Sequence, residues 1–166
     1  MKNLIRIAFT LIISHLAGAA LAQTTVPRDV SDPILRLQLS PYTHHFTYDS
    51  EHKNVFMVGL EREYTNGKLD GATFFTNSFG QASVYIYPWG GAYHAIAGIN
   101  PLSFKWTAGL LYGYRGIYKN KVPMNYNGFS PGVIVALDYE FKPGWSVQVN
   151  ALGTAGLMFQ LNAPLN

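Results

Sequence analysis

From Leu35 onward, apolar residues alternate with small or polar ones in segment after segment. A period of two is the signature of a β-strand with two unlike faces. The clearest stretch is Trp145 to Ala151, where Trp145, Val147, Val149 and Ala151 share one face and Ser146, Gln148 and Asn150 the other. Just before it, Val133, Val135, Leu137, Tyr139 and Phe141 alternate with Ile134, Ala136, Asp138 and Glu140, and Lys142-Pro143-Gly144 makes a tight turn between the two. Trp106, Ala108, Leu110, Tyr112 and Tyr114 align against Lys105, Thr107, Gly109, Gly113 and Arg115, with Leu111 as the exception. Leu157, Phe159 and Leu161 oppose Met158 and Gln160. The pattern predicts eight strands, near 35–48, 54–65, 67–78, 82–96, 103–116, 129–141, 144–152 and 154–162. Asn66-Gly67 favours a type I′ hairpin between the second and third. The only long connection expected is 117–128. An even number of short strands joined by hairpins is an all-β fold, an eight-stranded antiparallel up-and-down barrel over 35–162 with a tail at 163–166.

Which side of the barrel is apolar is a separate question. The polar face includes Arg36, Gln38, Arg115, Asp138, Glu140, Gln148 and Asn150, and the other face is almost free of charge. In a soluble barrel or sandwich the apolar face is the core; in a membrane barrel it meets lipid and the polar face lines the lumen. Alternation alone does not separate the two, but the start of the chain favours the membrane. Lys2 and Arg6 precede an apolar run from Ile7 to Ile13, and small residues follow through Ala20 and Ala22. This is the pattern of a signal peptide, 1–22, cut after Ala22, with 23–34 as a lead-in. No later stretch reaches the ~18 apolar residues of a spanning helix. Trp89, Trp106, Tyr112, Tyr114, Tyr139, Phe141 and Trp145 suit interfacial girdles. The expected location is therefore a bacterial outer membrane, where a closed barrel pairs every backbone group.

Composition sharpens this picture. Lys2 and Arg6 leave with the signal, so ten Lys and Arg remain against nine Asp and Glu, and a formal charge of +3 falls to +1. No Lys/Arg cluster tracks a phosphate backbone, which argues against nucleic acid. There is no cysteine, hence no disulfide framework and no thiol chemistry.

Adjacent strands of such a barrel run in opposite directions, so the ends of strands 1, 3, 5 and 7 share one rim. That rim collects His44, His45 and His52, Asn77 and Ser78, and the 117–128 loop with Lys119, Lys121 and Asn125. A His and a Ser at one mouth suit acyl transfer, the imidazole taking a hydroxyl proton during attack on an ester. A carboxylate usually orients such a His, and Asp49 and Glu51 are near in sequence. A competing idea is an N/O metal site from His44, His45, His52 and Asp49. Neighbouring strand residues point to opposite faces, so His44 and His45 cannot both ligate without a bulge. Unbroken alternation from Leu35 puts His44 inside; a bulge at Pro41 would swap in His45.

The order of these features resembles the outer-membrane lipid A palmitoyltransferase (PagP) family. His44-His45-Phe46-Thr47-Tyr48-Asp49 resembles its His followed by a Phe-x-Tyr-Asp run, Thr76-Asn77-Ser78-Phe79 its Asp-Ser pair, and Trp106-Thr107-Ala108-Gly109 a Phe-Thr-Ala-Gly strand. Val122-Pro123 falls where the family's third outer loop carries prolines. The family's Asp is Asn77 here, aligning Phe46 and Tyr48 puts Thr43 at the His position, and the first outer loop is shorter. The resemblance implies a monomeric eight-stranded barrel, with no cofactor, that moves an acyl chain from phospholipid to the glucosamine part of lipid A in lipopolysaccharide. Ser78 with His44 or His45 would promote transfer, Asn77 would position a partner, and Gly109 and Gly113 would leave room for the chain. The alternative is a barrel without catalysis, serving envelope integrity, adhesion or small-solute passage. A long apolar cavity open sideways near the outer rim would favour the lipid enzyme; a lumen plugged by Arg36, Arg115, Asp138 and Glu140 would favour the structural barrel.

Overall fold

The computed structural model describes residues 33–165. The expected signal peptide, and the lead-in as far as residue 32, lie outside the described residues. The strands are β1 (Ile34–His45), β2 (Met57–Glu63), β3 (Leu69–Thr76), β4 (Ala82–Tyr93), β5 (Leu102–Tyr112), β6 (Phe129–Lys142), β7 (Trp145–Ala151) and β8 (Gly156–Pro164). They close in sequence order into one barrel, each paired antiparallel with its neighbours and β8 with β1. Closure removes the sheet edges. A tight hairpin forms at Asn66-Gly67 but not as the expected type I′ turn: of the two only Gly67 has positive φ, at 78°, and its N–H donates to the Tyr64 carbonyl at 2.9 Å while the Asn66 side chain accepts the Lys68 N–H at 3.1 Å.

The apolar face is outside. Leu60, Phe74, Ile86, Leu110, Val133, Leu137 and Val147 are all exposed. Arg36, Gln38, Glu61, Glu63, Lys105, Asp138, Gln148 and Asn150 are buried within. No water-soluble core is built this way round, and the architecture is that of a membrane-type barrel. Aromatic residues mark both ends of the outer wall. Tyr42 stacks on Phe159, and Tyr112 lies against Phe129 near the end that carries the long loops; Tyr93 stacks on Phe104 near the other. At that second end, Arg62 and Asp70 form a two-pronged ion pair on the outer face, at 2.7 and 2.9 Å, where the apolar band stops.

Four further details differ from the sequence-based expectation. The 46–56 segment is a second long connection, because β1 ends at His45 and β2 begins only at Met57; Phe46, Tyr48 and Phe56 keep strand alternation outside the strands, with only single backbone bonds from Phe46 to Ala155 and from Thr76 to Phe56 at its ends. The last strand reaches into the expected tail: Ala163 and Pro164 pair with Leu37 and Arg36, and the Leu165 N–H donates to the Leu35 carbonyl at 2.8 Å. The C-terminus thus closes the barrel seam. Thirdly, β5 ends at Tyr112, so Tyr114 leaves the outer face and turns to the lumen. Arg115 likewise leaves the interior: its guanidinium lies over the Tyr112 ring at 5.6 Å.

The wall is incomplete in two places at the long-loop end. From Phe129 to Ile134, β6 pairs with β5 alone, because β7 stops at Ala151 opposite Val135. From Tyr42 to His45, β1 pairs with β8 alone, because β2 starts at Met57 opposite Ser40. Pro131 and Pro41 lie at these breaks, and a proline has no N–H to leave unpaired there. Between Leu39 and Tyr42 the β1–β8 register also shifts by a bulge.

Candidate active site

The lumen is divided into two halves. Its lower half is packed with polar side chains. Lys105 Nζ lies 2.9 Å from Glu61 Oε1, and Arg36 Nη1 3.0 Å from Glu63 Oε2. The Tyr87 hydroxyl is 3.2 Å from Gln38 Oε1 and 3.3 Å from Glu61 Oε2. On the β6–β8 side, Asn162 Nδ2 donates to Asp138, Ser146 and Gln148 at 3.0, 3.0 and 3.1 Å, and Ser146 Oγ donates to Asp138 at 2.6 Å. Each buried charge has a partner, as burial demands. Arg36 and Asp138 are in this plug and Glu140 is at its rim, 3.7 Å from Arg36; Arg115 is not part of it.

Above the plug lies a cavity of about 300 Å³. Met57, Phe75, Leu111, Ile134 and Met158 give it apolar walls, and Tyr85 and Tyr87, stacked at 5.3 Å, lie toward its floor. Pro131 and Val133 also line it, although both side chains are on the outward face of β6. The cavity therefore spills out through the wall where β6 lacks a β7 partner. Gly109 and Gly113 do not line it. A Cβ at Gly109 would strike the β4 backbone at Ile86, and one at Gly113 would strike Ser83, so these glycines permit close strand approach. Gly132 does line the cavity, and the Tyr85 ring packs against its bare backbone.

The β1 bulge decides between the two histidines. Pro41 and Tyr42 both face outward, after which Thr43 and His45 point in and His44 points out, its ring meeting Phe46 edge-on at 6.2 Å. His45 lines the cavity mouth. Its imidazole lies near the Ala155 carbonyl, and its Nε2 is buried and has no partner among the described residues. With its proton on Nδ1, this imidazole has a free lone pair at Nε2. The other face of the ring lies against His52, with centroids 4.1 Å apart.

Ser78 lines the same mouth and is 8% exposed. It sits on the 77–81 turn, which Asn77 organises. The Asn77 side-chain oxygen accepts the N–H groups of Phe79 and Gln81, both at 3.0 Å, and its amide donates to Gln81 Oε1 at 3.4 Å. Asn77 is wholly buried and its hydrogen-bonding groups are spent within the turn. It therefore positions Ser78, and its carbonyl oxygen does what a carboxylate oxygen would do there. The Ser78 side chain lies beside the Tyr114 phenol, whose pKa burial pushes up. Tyr114 is the site residue that alternation misplaced on the outer face.

The loops close over this mouth through Phe79. Its ring stacks on Tyr118 at 4.3 Å, meets His52 and Tyr114 edge-on at 5.5 and 6.2 Å, and lies 4.8 Å below the Lys121 ammonium. Asp49 takes Lys121 at 3.1 Å, and the Tyr118 hydroxyl donates to Glu51 at 3.4 Å. The Glu51 N–H, and after it Lys121, hold the Asp49 carboxyl below its ordinary value. Neither Asp49 nor Glu51 orients His45, since Asp49 is turned to Lys121 and Glu51 to Tyr118. The metal alternative also loses its geometry: His44 faces away and Asp49 is turned to Lys121. Among the described residues no three His, Cys, Asp or Glu side chains converge as a metal site.

Neither a known protein family nor a curated protein matches the sequence. Among solved structures, a designed protein described as "De novo design of transmembrane beta-barrels" is similar, with a TM-score of 0.58 at 11% identity, covering 83% of this chain and 100% of that one. That likeness concerns the fold.

Proposed function

We propose that this chain is an outer-membrane acyltransferase that takes an acyl chain from a phospholipid into its upper cavity and passes it to lipid A. The observation that carries the reading is the half-plugged lumen. A cavity with apolar walls above a polar floor opens sideways through the wall, with an imidazole lone pair and a serine hydroxyl at its mouth. An open pore has no use for the floor, and a purely structural barrel has no use for the cavity.

In the proposed step the attacking hydroxyl belongs to the glucosamine of lipid A. Its proton passes to His45 Nε2 as its oxygen bonds the ester carbonyl carbon. The glycerol C–O bond then breaks, and His45 returns the proton to the leaving oxygen. Ser78 and Tyr114 donate hydrogen bonds to the carbonyl oxygen while it carries charge. His44 has no part in this step, and Asn77 acts through the turn that holds Ser78. The likeness to the lipid A palmitoyltransferase family supports the same reading.

A barrel without catalysis is the second reading, favoured by the absence of a carboxylate on His45. Mass spectrometry of lipid A from cells with the gene, without it, and with Ser78→Ala distinguishes the two. An added acyl chain only in the intact strain is the expected result. Identical lipid A in all three, with the protein present, defeats the enzyme reading.

A further inference from the structure

We infer that the rim beside Ser78 is a binding site for the phosphate of an anionic glycerophospholipid, with Lys53 and Lys121 as its cations. The inference deepens the acyl-chain reading, on which it rests.

The upper loops carry Lys53, Arg115, Lys119 and Lys121 against Asp49 and Glu51, a surplus of two positive charges. Two of the four lie against successive residues of one turn, Phe79 and Gly80. Lys121 Nζ stands 4.8 Å over the Phe79 ring, and Lys121 itself lines the cavity mouth. Lys53 packs against Gly80, where a Cβ would meet its ammonium at 3.3 Å, and its backbone N–H donates to the Ser78 carbonyl at 2.8 Å. Phe79 and Gly80 directly follow Ser78, so both ammonium groups flank the turn that presents the serine. Lys53 has no anionic partner among the ion pairs of the described residues, and Lys121 has one, half-exposed Asp49. Such an exposed pair is weak and gives way to, or shares its ammonium with, a dianionic or monoanionic phosphate.

Glycerophospholipids fit this layout because glycerol fixes the phosphate one short backbone away from the acyl ester. A phosphate held over Phe79 and Gly80 leaves the ester at Ser78 and sends the acyl chain down into the cavity. Amphiphiles without phosphate lack the first contact, and free phosphate lacks the last.

Purified barrel in an uncharged glycoside detergent, titrated with lipid and read by native mass spectrometry, tests this. The probes are phosphatidylglycerol, diacylglycerol with the same chains, and inorganic phosphate. Phosphatidylglycerol is expected to bind about ten-fold or more tighter than diacylglycerol. Lys53→Gln/Lys121→Gln should remove that preference, while Lys68→Gln/Lys142→Gln at the opposite rim should retain it. Heat-modifiable gel mobility verifies folding of each variant. Equal binding of the two lipids, or a preference that survives Lys53→Gln/Lys121→Gln, overturns the phosphate site and leaves the cavity reading standing. Inorganic phosphate bound as tightly as the lipid overturns the glycerophospholipid assignment. Failure of both lipids to bind overturns the phosphate site together with the acyl-chain reading.

Discussion

Replacing Lys105 by methionine should be among the most damaging single changes to the lumen. Lys105 is 1% exposed, with Glu61 at 2.9 Å, Asp138 at 3.8 Å and Glu63 at 3.9 Å from its ammonium. At an effective dielectric of about 20, these contacts sum to roughly 14 kcal/mol of attraction, before the cost of desolvating the ammonium and the repulsion from Arg36. Removing one partner of a buried pair costs on the order of 3–5 kcal/mol, because the other charges stay buried and uncompensated. The local balance makes the effect asymmetric. Arg36 and Lys105 face Glu61, Glu63, Asp138 and the half-buried Glu140, so the plug is already short of positive charge. Losing Lys105 worsens that shortage, whereas Glu61→Gln relieves it and still leaves a hydrogen-bonding group near Tyr87 and Gln38. Urea unfolding in detergent micelles, followed by heat-modifiable mobility, should show Lys105→Met costing about 3 kcal/mol or more. Glu61→Gln should cost about half as much or less, and the double variant should recover part of the Lys105→Met loss. Equal costs for the two single changes would refute the charge-balance argument.

Three further outcomes follow from the outer wall, the cavity and the loops. Leu60→Arg places a charge on the exposed apolar band between Leu37 and Ala72, and should cost roughly 2–4 kcal/mol in a bilayer if near its midplane; a variant as stable as the parent in liposome refolding would count against a lipid-facing wall. Gly132→Val sets a side chain where a Cβ alone would come within 2.9 Å of the Tyr85 ring, and should shrink the cavity, so native mass spectrometry should show weakened long-chain lipid binding from a barrel that still folds. The Asp49 carboxyl has its pKa depressed below 3.8, so its contribution to the loop clasp is complete above that pH and is lost as pH falls further; protection factors of amides in 116–123, corrected for intrinsic exchange, should fall only below about pH 4, and protection already lost at pH 5 would contradict this assignment.

Strand number, order and hairpin direction were legible because they depend on local alternation, which every strand repeats. The location of His45 was legible only conditionally. Both alternatives follow from one residue, Pro41, and alternation cannot say whether a proline is absorbed by a bulge or by a break. The structure uses it for both, shifting the β1–β8 register and ending the β1–β2 pairing. The second long loop was hidden for the opposite reason: Phe46, Tyr48 and Phe56 keep an alternating pattern, but the ladder frays to single backbone bonds at Phe46 and Phe56 and does not continue between them.

The cavity itself had a sequence signal that alternation treated as noise. In a membrane barrel the inward residues should be polar, yet Met57, Phe75, Leu111, Ile134 and Met158 all point in. Each belongs to the half of its strand nearer the long loops, and together they line one space. Polar inward residues such as Gln38, Lys105, Asp138, Gln148 and Asn162 occupy the other half. A lumen polar throughout would be a plug, and a lumen apolar throughout would lack a hydrogen-bonded floor to fix its shape. The division of the inward face along the barrel axis is therefore the feature to read. It explains why Leu111 breaks the pattern of β5, and why Tyr114, just past the end of that strand, turns inward to meet Ser78. Exceptions to alternation that recur at one height of a barrel mark a built cavity, because random core substitutions have no reason to share a level.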